Sequence, residues 1–184
     1  GDWSSDVCSS DLNLALTHYN QGRIEKAIEL LKEAITYSST YADAFYHLGN
    51  CYIIKEDIEE AYHNHKTAAF IFSNEGRYKK CINIFKTLLK RTPHNFEILR
   101  PLGIAFFKEG QYSHCIETLS KALKIDPINS EIMQILGQAY LKQKNIEKAV
   151  ELIVQEGLLN FNQGHIKQAF DKFNQVIQLR HQPT

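Results

Sequence analysis

Small residues recur at fixed places along an otherwise amphipathic chain. Ala27, Ala61, Cys81, Cys115, Ala149 and Ala169 each stand three residues after Ile24, Ile58, Tyr78, Tyr112, Ile146 or Ile166. A second set, Ala15, Gly49, Ala69, Gly103, Gly137 and Gly157, precedes the first by twelve residues in every case. Around both sets the large apolar residues follow a helical period, as at Leu48, Tyr52, Leu102, Phe106, Leu136 and Tyr140. The pattern predicts pairs of helices of about 14 residues, each about 21 Å long, folded back across tight turns. Gly22, Gly76, Gly110 and Gly164 fall at four of those turns, and Glu56 and Lys144 take the same place in two others. A helix commonly ends on a residue of positive φ, which glycine adopts without a Cβ clash. The small residue in each helix lets the two backbones approach closely while the large neighbours fill the space around the contact. One such hairpin cannot bury its own apolar face, so neighbouring hairpins must stack.

The steps between successive second-helix small residues are 34, 20, 34, 34 and 20. At the two short steps one helix, over 57–73 and again over 145–161, has to be the second helix of one hairpin and the first of the next. Each should run unbroken, touching 42–55 and 77–91 in the first case and 130–143 and 165–179 in the second. The whole series repeats at 88 residues: LGNCYIIKEDIEEA at 48–61 aligns with LGQAYLKQKNIEKA at 136–149, and NEGRYKKCINIF at 74–85 with NQGHIKQAFDKF at 162–173. A fixed long period marks a helical repeat array, here a duplicated block of five helices and so about ten in all. Pro101 falls inside a first helix, where it should kink the helix or shorten its start.

Leu102-Gly103 and Leu136-Gly137 stand 34 residues apart, with Phe106 and Tyr140 in one register, Tyr112 and Ile146 in another, and Cys115 and Ala149 in a third. Ala122-Leu123 leads to Asp126-Pro127, which closes a helix. In this order and spacing the residues resemble the tetratricopeptide repeat. The resemblance implies an all-α fold, a right-handed superhelical solenoid of about ten antiparallel helices. His65 and Glu156 depart from it, standing where an apolar side chain is usual, and Asn160 replaces an aromatic. All three lie in the doubled helices.

Composition narrows the function. Lys+Arg and Asp+Glu both total 21, so the chain carries no net charge, which argues against a nucleic-acid binder. No run approaches the about 20 apolar residues of a membrane span. Asp2–Leu12, reading DWSSDVCSSDL, has no helical period and is similar to the in-frame translation of a widely used sequencing adapter. Residues 1–12 are therefore expected to lie outside the fold, with the array over 13–184 a piece of a longer protein. Cys51, Cys81 and Cys115 form no C-x-x-C pair and are expected as small core residues in a reducing, cytoplasmic setting. His63 and His65, two apart, should diverge on a helix rather than share a metal. Neither a G-x-S-x-G, a phosphate-cradling glycine loop nor an H-E-x-x-H occurs in the sequence. No catalytic group, cofactor or metal is expected.

What remains is a surface. In the resembling family, first helices line a concave face that binds segments of partner proteins. Alignment carries that role to Tyr46, His47, Asn50, Ile53, Arg100, Ile104, Phe107, Gln134, Gln138 and Leu141. Ile53, Phe107 and Leu141 would form an apolar strip between polar flanks, the format of a helix or extended peptide in a groove. Some members grip a chaperone's C-terminal carboxylate with a lysine/asparagine clamp. Here the matching places hold Arg100 with Ile104 and Gln134 with Gln138, while Asn50 is partnered by Tyr46, so that clamp is absent. The expected function is a non-catalytic scaffold for protein–protein interaction. Two other readings stand beside it: the repeat region of a larger enzyme, such as a glycosyltransferase or peptidase, and self-association through uncapped helices.

Overall fold

The computed structural model describes the backbone of residues 3–181 and the side chains of residues 10–180. Asp2, the side chains of Trp3 and Cys8, and Gln182, Pro183 and Thr184 lie outside the described residues. Among the described residues there are ten helices and no strand: α1 (Trp3–Asn20), α2 (Ile24–Tyr37), α3 (Ala42–Ile54), α4 (Ile58–Asn74), α5 (Tyr78–Leu89), α6 (Phe96–Lys108), α7 (Tyr112–Ile125), α8 (Ser130–Lys142), α9 (Ile146–Asn162) and α10 (Ile166–His181). The chain divides into two compact units, Gly1–Arg91 with α1 to α5 and Thr92–Thr184 with α6 to α10.

The turns form where the small-residue register puts them. Gly22, Gly76, Gly110 and Gly164 have φ between 72 and 78°, and Glu56 and Lys144 take φ of 60 and 59° at the same place in their turns. Those two side chains adopt a conformation that suits glycine better, a local strain held by the hairpins on either side. Four helix starts, those of α4, α6, α8 and α9, carry side-chain caps. Asp57, Asn95, Asn129 and Asn145 accept hydrogen bonds from the backbone N–H groups of Glu60, Glu97, Ile132 and Lys148, satisfying donors that have no partner inside the helix.

Pro101 neither stops nor shortens α6, which at 13 residues equals α3 and α8. Proline removes one bond of the ladder, but Pro101 is buried, as are Leu99, Leu102 and Ala105 of the same helix, and that packing offsets the lost bond. Residues 2–12 have no apolar period, yet α1 begins at Trp3, and Leu12 packs against the core that holds Ala15, Leu31 and Leu48. Once the later turns of α1 are docked, extending a helix requires no new nucleus, so unpatterned sequence can join it.

Within the units, α1 packs on α2, α3 on α4, α6 on α7 and α8 on α9. The doubled helices behave as their spacing requires. Each of α4 and α9 runs unbroken for 17 residues, α4 contacting both α3 and α5 and α9 contacting both α8 and α10. First helices approach one another where the step is 34, as α1 with α3 and α6 with α8, but the backbone of α3 stays apart from that of α5, and that of α8 from that of α10. Each doubled helix is thus left as the floor of a notch.

The small sites are tight in most hairpins. A Cβ built on Gly49 would stand 2.3 Å from the His65 ring, on Gly103 2.3 Å from Leu119, and on Gly157 2.8 Å from Phe173. Gly137 differs: its nearest neighbour would be Ile153 Cγ1 at 3.8 Å, an ordinary contact. Close backbone approach is therefore not the reason for that glycine.

Candidate protein-interaction site

In the first unit the notch lies between α3 and α5 and holds about 190 Å³. Asp43, Tyr46 and His47 form one wall, Lys80, Asn83 and Ile84 the other, and Phe72 of α4 the floor. Phe72 and Ile84 are there because the apolar stripes of α4 and α5 meet along this line. The Arg77 guanidinium sits 4.3 Å and the Lys80 ammonium 5.1 Å from the Phe72 ring centre, a cation–π arrangement. Both cations also pair with Asp43 at 2.8 Å. Burial works against the Asp43 carboxylate, but the hydrogen bonds and charges of Arg77 and Lys80 together outweigh it and hold its pKa below the usual value.

Behind this wall, His65 fills the space over Gly49. Its Nε2 lies 3.0 Å from Asn50 Oδ1 and its ring 5.5 Å from that of Tyr46. Burial pushes the His65 pKa down, against a smaller opposite pull from the Tyr46 carbonyl. Burial likewise lowers that of His47, with Lys80 adding to the effect and Asp43 opposing it. Both imidazoles are accordingly favoured in the neutral form, His65 with its Nε2–H donating to the Asn50 amide oxygen.

The second unit repeats the notch between α8 and α10 with other residues. Gln134, Gly137, Gln138 and Leu141 line one side, Lys172 and Gln175 the other, around about 50 Å³. Ile153 and Glu156 of α9 form the floor. Glu156 is buried, accepts a hydrogen bond of 2.9 Å from the Ser130 hydroxyl, and pairs with Lys172 at 2.7 Å. The same unit has a larger and shallower groove of about 470 Å³ on another side, where Leu123 of α7, Leu136 and Tyr140 of α8 and Leu152 of α9 meet.

Five of the aligned residues line the notches: Tyr46 and His47 in the first, Gln134, Gln138 and Leu141 in the second. Asn50 is engaged with His65. Ile53 is half exposed near the end of α3 and lines neither notch. On α6, Arg100 pairs with Glu131 of α8, Phe107 packs edge-on against Tyr112 at 5.7 Å, and Ile104 is partly buried. The alignment missed the opposite walls, Lys80, Asn83 and Ile84 on α5 and Lys172 and Gln175 on α10, because the repeat pattern assigns those helices to the second position. The 20-residue steps held the missing signal, since a helix that skips its turn exposes both of its neighbours.

Cys51, Cys81 and Cys115 are buried and form no disulfide, and burial pushes the thiols of Cys51 and Cys115 up to about 11 and about 12. His63 is exposed and His65 buried, so the two diverge as their spacing requires. Among the described residues no group of three or more His, Cys, Asp or Glu is placed to hold a metal. No helix there is long and apolar enough to cross a membrane.

A family model described as TPR repeat matches residues 15–55, and one described as Tetratricopeptide repeat matches residues 106–155. No curated protein matches the chain. Among solved structures, YrrB, described as a TPR protein with an unusual peptide-binding site, is similar at a TM-score of 0.51 and 18% identity, over 89% of this chain and 90% of that one. The MamA protein is similar at a TM-score of 0.53 and 13% identity, over 88% of this chain and 96% of that one. At such identities the likeness shows the fold. With both repeat matches falling on hairpins whose glycine turns, small sites and Leu-Gly registers are those derived above, the chain belongs to the tetratricopeptide-repeat family.

Proposed function

We propose that the chain is a scaffold that binds extended segments of a protein partner in the two notches beside its doubled helices. The observation that carries this reading is the recurrence of the notch, between α3 and α5 and again between α8 and α10, with aligned residues on one wall each time. In the first notch Phe72 and Ile84 give an apolar seat beside the paired Lys80 and Asp43 side chains, which suits an apolar anchor flanked by polar groups. In the second, the amides of Gln134, Gln138 and Gln175 can donate to and accept from a peptide backbone. YrrB, described as having an unusual peptide-binding site, is a precedent for peptide binding on this fold.

The test begins with peptides selected from a random display library on the intact chain, their affinities measured by titration calorimetry. Tyr46→Ala and Leu141→Ala are expected to weaken binding by more than about 1 kcal/mol each, as buried anchors do. Lys121→Ala, at an exposed i,i+4 pair with Glu117, serves as the reference and should bind like the parent. If the Tyr46 and Leu141 variants bind as tightly as the parent, the notches are not the site.

A further inference from the structure

Three of the four glycines inside helices are closed over by the side chain sixteen residues on: His65 over Gly49, Leu119 over Gly103 and Phe173 over Gly157. In each case that side chain comes within 2.8 Å of where a Cβ would stand. At Gly137 the residue in the same register is Ile153, and its nearest atom stays 3.8 Å from that point. A β-branched side chain is stiff at χ1 in a helix, so Ile153 does not swing across to close the space. The room lies in the floor of the second notch, where Gly137, Leu141 and Ile153 face one cavity of about 50 Å³. A water molecule occupies about 30 Å³ in the liquid, so this space admits roughly one or two non-hydrogen atoms. Its charged lining is already neutralised. Glu156 pairs with Lys172 at 2.7 Å through one carboxylate oxygen and accepts from the Ser130 hydroxyl at 2.9 Å through the other. Gln134 and Gln138 are exposed at the rim.

We propose that this cavity sets what the second notch accepts: an extended partner segment that places the methyl group of an alanine in the space over Gly137. The inference rests on the reading of the notches as peptide sites. Glycine at that position of the partner would leave the cavity empty, and the four side-chain carbons of leucine would overfill it. A charged side chain finds no free counter-ion there, because Glu156 and Lys172 hold each other. The amides of Gln134 and Gln138 supply donors and acceptors for the partner backbone on either side. Gly137 is on this account a specificity-determining residue, small to make room for the partner rather than for α9.

The test exchanges a methyl group between the two molecules. Peptides selected from a random display library on the intact chain are sorted for those that Leu141→Ala weakens. Each position of such a peptide is then replaced in turn by glycine, alanine and leucine, and affinities are measured by titration calorimetry. One position should prefer alanine, with glycine about fourfold weaker for the lost methyl contact and leucine at least about tenfold weaker through overpacking. In the Gly137→Ala protein the preference should invert. The alanine peptide should bind at least about tenfold more weakly than to the parent, while the glycine peptide binds as it does to the parent. The open space over Gly137 accepts the added methyl, so circular dichroism should show parental helix content and melting for this variant. Two results would overturn the proposal while leaving the notch a peptide site: Leu141-dependent peptides that accept leucine as readily as alanine at every position, or a Gly137→Ala protein that binds the alanine peptide like the parent. A library that yields no Leu141-dependent peptide would overturn the proposal together with the reading on which it rests.

Discussion

In α4 the residue facing the preceding helix's glycine is His65, and in α9 it is Ile153. His65 lies so close to Gly49 that no Cβ fits, and it is tied to Asn50; Ile153 leaves room for a methyl group on Gly137. Three further positions differ together. Ala42, Ala68 and Ile84 are buried in the first unit, whereas the second has Ser130, Glu156 and Lys172 at the equivalent places, joined by a hydrogen bond and an ion pair. The helix bounds of α3 and α4 nevertheless recur in α8 and α9, with 13 and 17 residues in each pair. The backbone plan thus depends on filled volume and satisfied polar groups rather than on particular residues, and an apolar set can stand in for a polar one only when its members change together. The difference also separates the two notches chemically: Asn50 is engaged internally, while Gln134 and Gln138 are exposed.

The strongest way to break the comparison is to mix the two sets. Lys172→Ile alone places an apolar side chain against a buried carboxylate and should destabilise the chain by about 3 kcal/mol, read from denaturant unfolding. The triple change Ser130→Ala, Glu156→Ala and Lys172→Ile, which installs the first unit's set, should restore stability to within about 1 kcal/mol of the parent or raise it. A triple variant as unstable as the single one would show that the sets are not equivalent. Next in size are the glycines. Gly49→Ala should cost about 1–3 kcal/mol by overpacking against His65, whereas Gly137→Ala should be neutral or gain up to about 1 kcal/mol in helix propensity. Equal melting shifts for both would contradict the distances.

A smaller effect concerns pH. Burial lowers the pKa of His65 and His47 from 6.5. Below that value the unfolded chain takes up protons that the folded chain refuses, so stability should fall as pH drops from 6.5 through the lowered folded values. Asp43, lowered from 3.8, adds a further loss only below that pH. His65→Ile, which copies the second unit, should flatten the decline between pH 6.5 and about pH 5; an unchanged slope would remove His65 from the account. Smallest of all, Glu56→Gly and Lys144→Gly should each raise stability by about 0.5–1 kcal/mol, relief of positive φ exceeding the entropy gained by the unfolded chain. Thermal melts that fall instead would show that the Glu56 and Lys144 side chains contribute contacts outweighing that relief.

Much of this arrangement was legible in the spacing of small residues. The ten helices, the turns at Glu56 and Lys144 and the doubled helices all follow from it, because close packing of two helices restricts residue size at only a few positions. Gly137 shows the limit: a small residue in the right register permits a close approach without requiring one. The helix over residues 3–12 was not legible, since helix extension from a docked turn leaves no periodic signature. Half of each notch was also hidden. The walls from α5 and α10 depend on which helices fail to meet, a property of three-dimensional packing that a pairwise register does not encode. Phe107 and Arg100, which the alignment assigns to the concave face, each also have a partner within their own unit, in Tyr112 and Glu131.

The central claim, that partner segments lie in the notches beside the doubled helices, is tested most directly by methyl NMR of the intact chain titrated with a selected peptide. The account predicts that the methyl signals of Ile84 and Leu141, one in each notch, shift together with the binding curve, while that of Leu123, in the groove between α7 and α9, stays in place. Shifts confined to Leu123, with Ile84 and Leu141 unmoved at saturation, would contradict it.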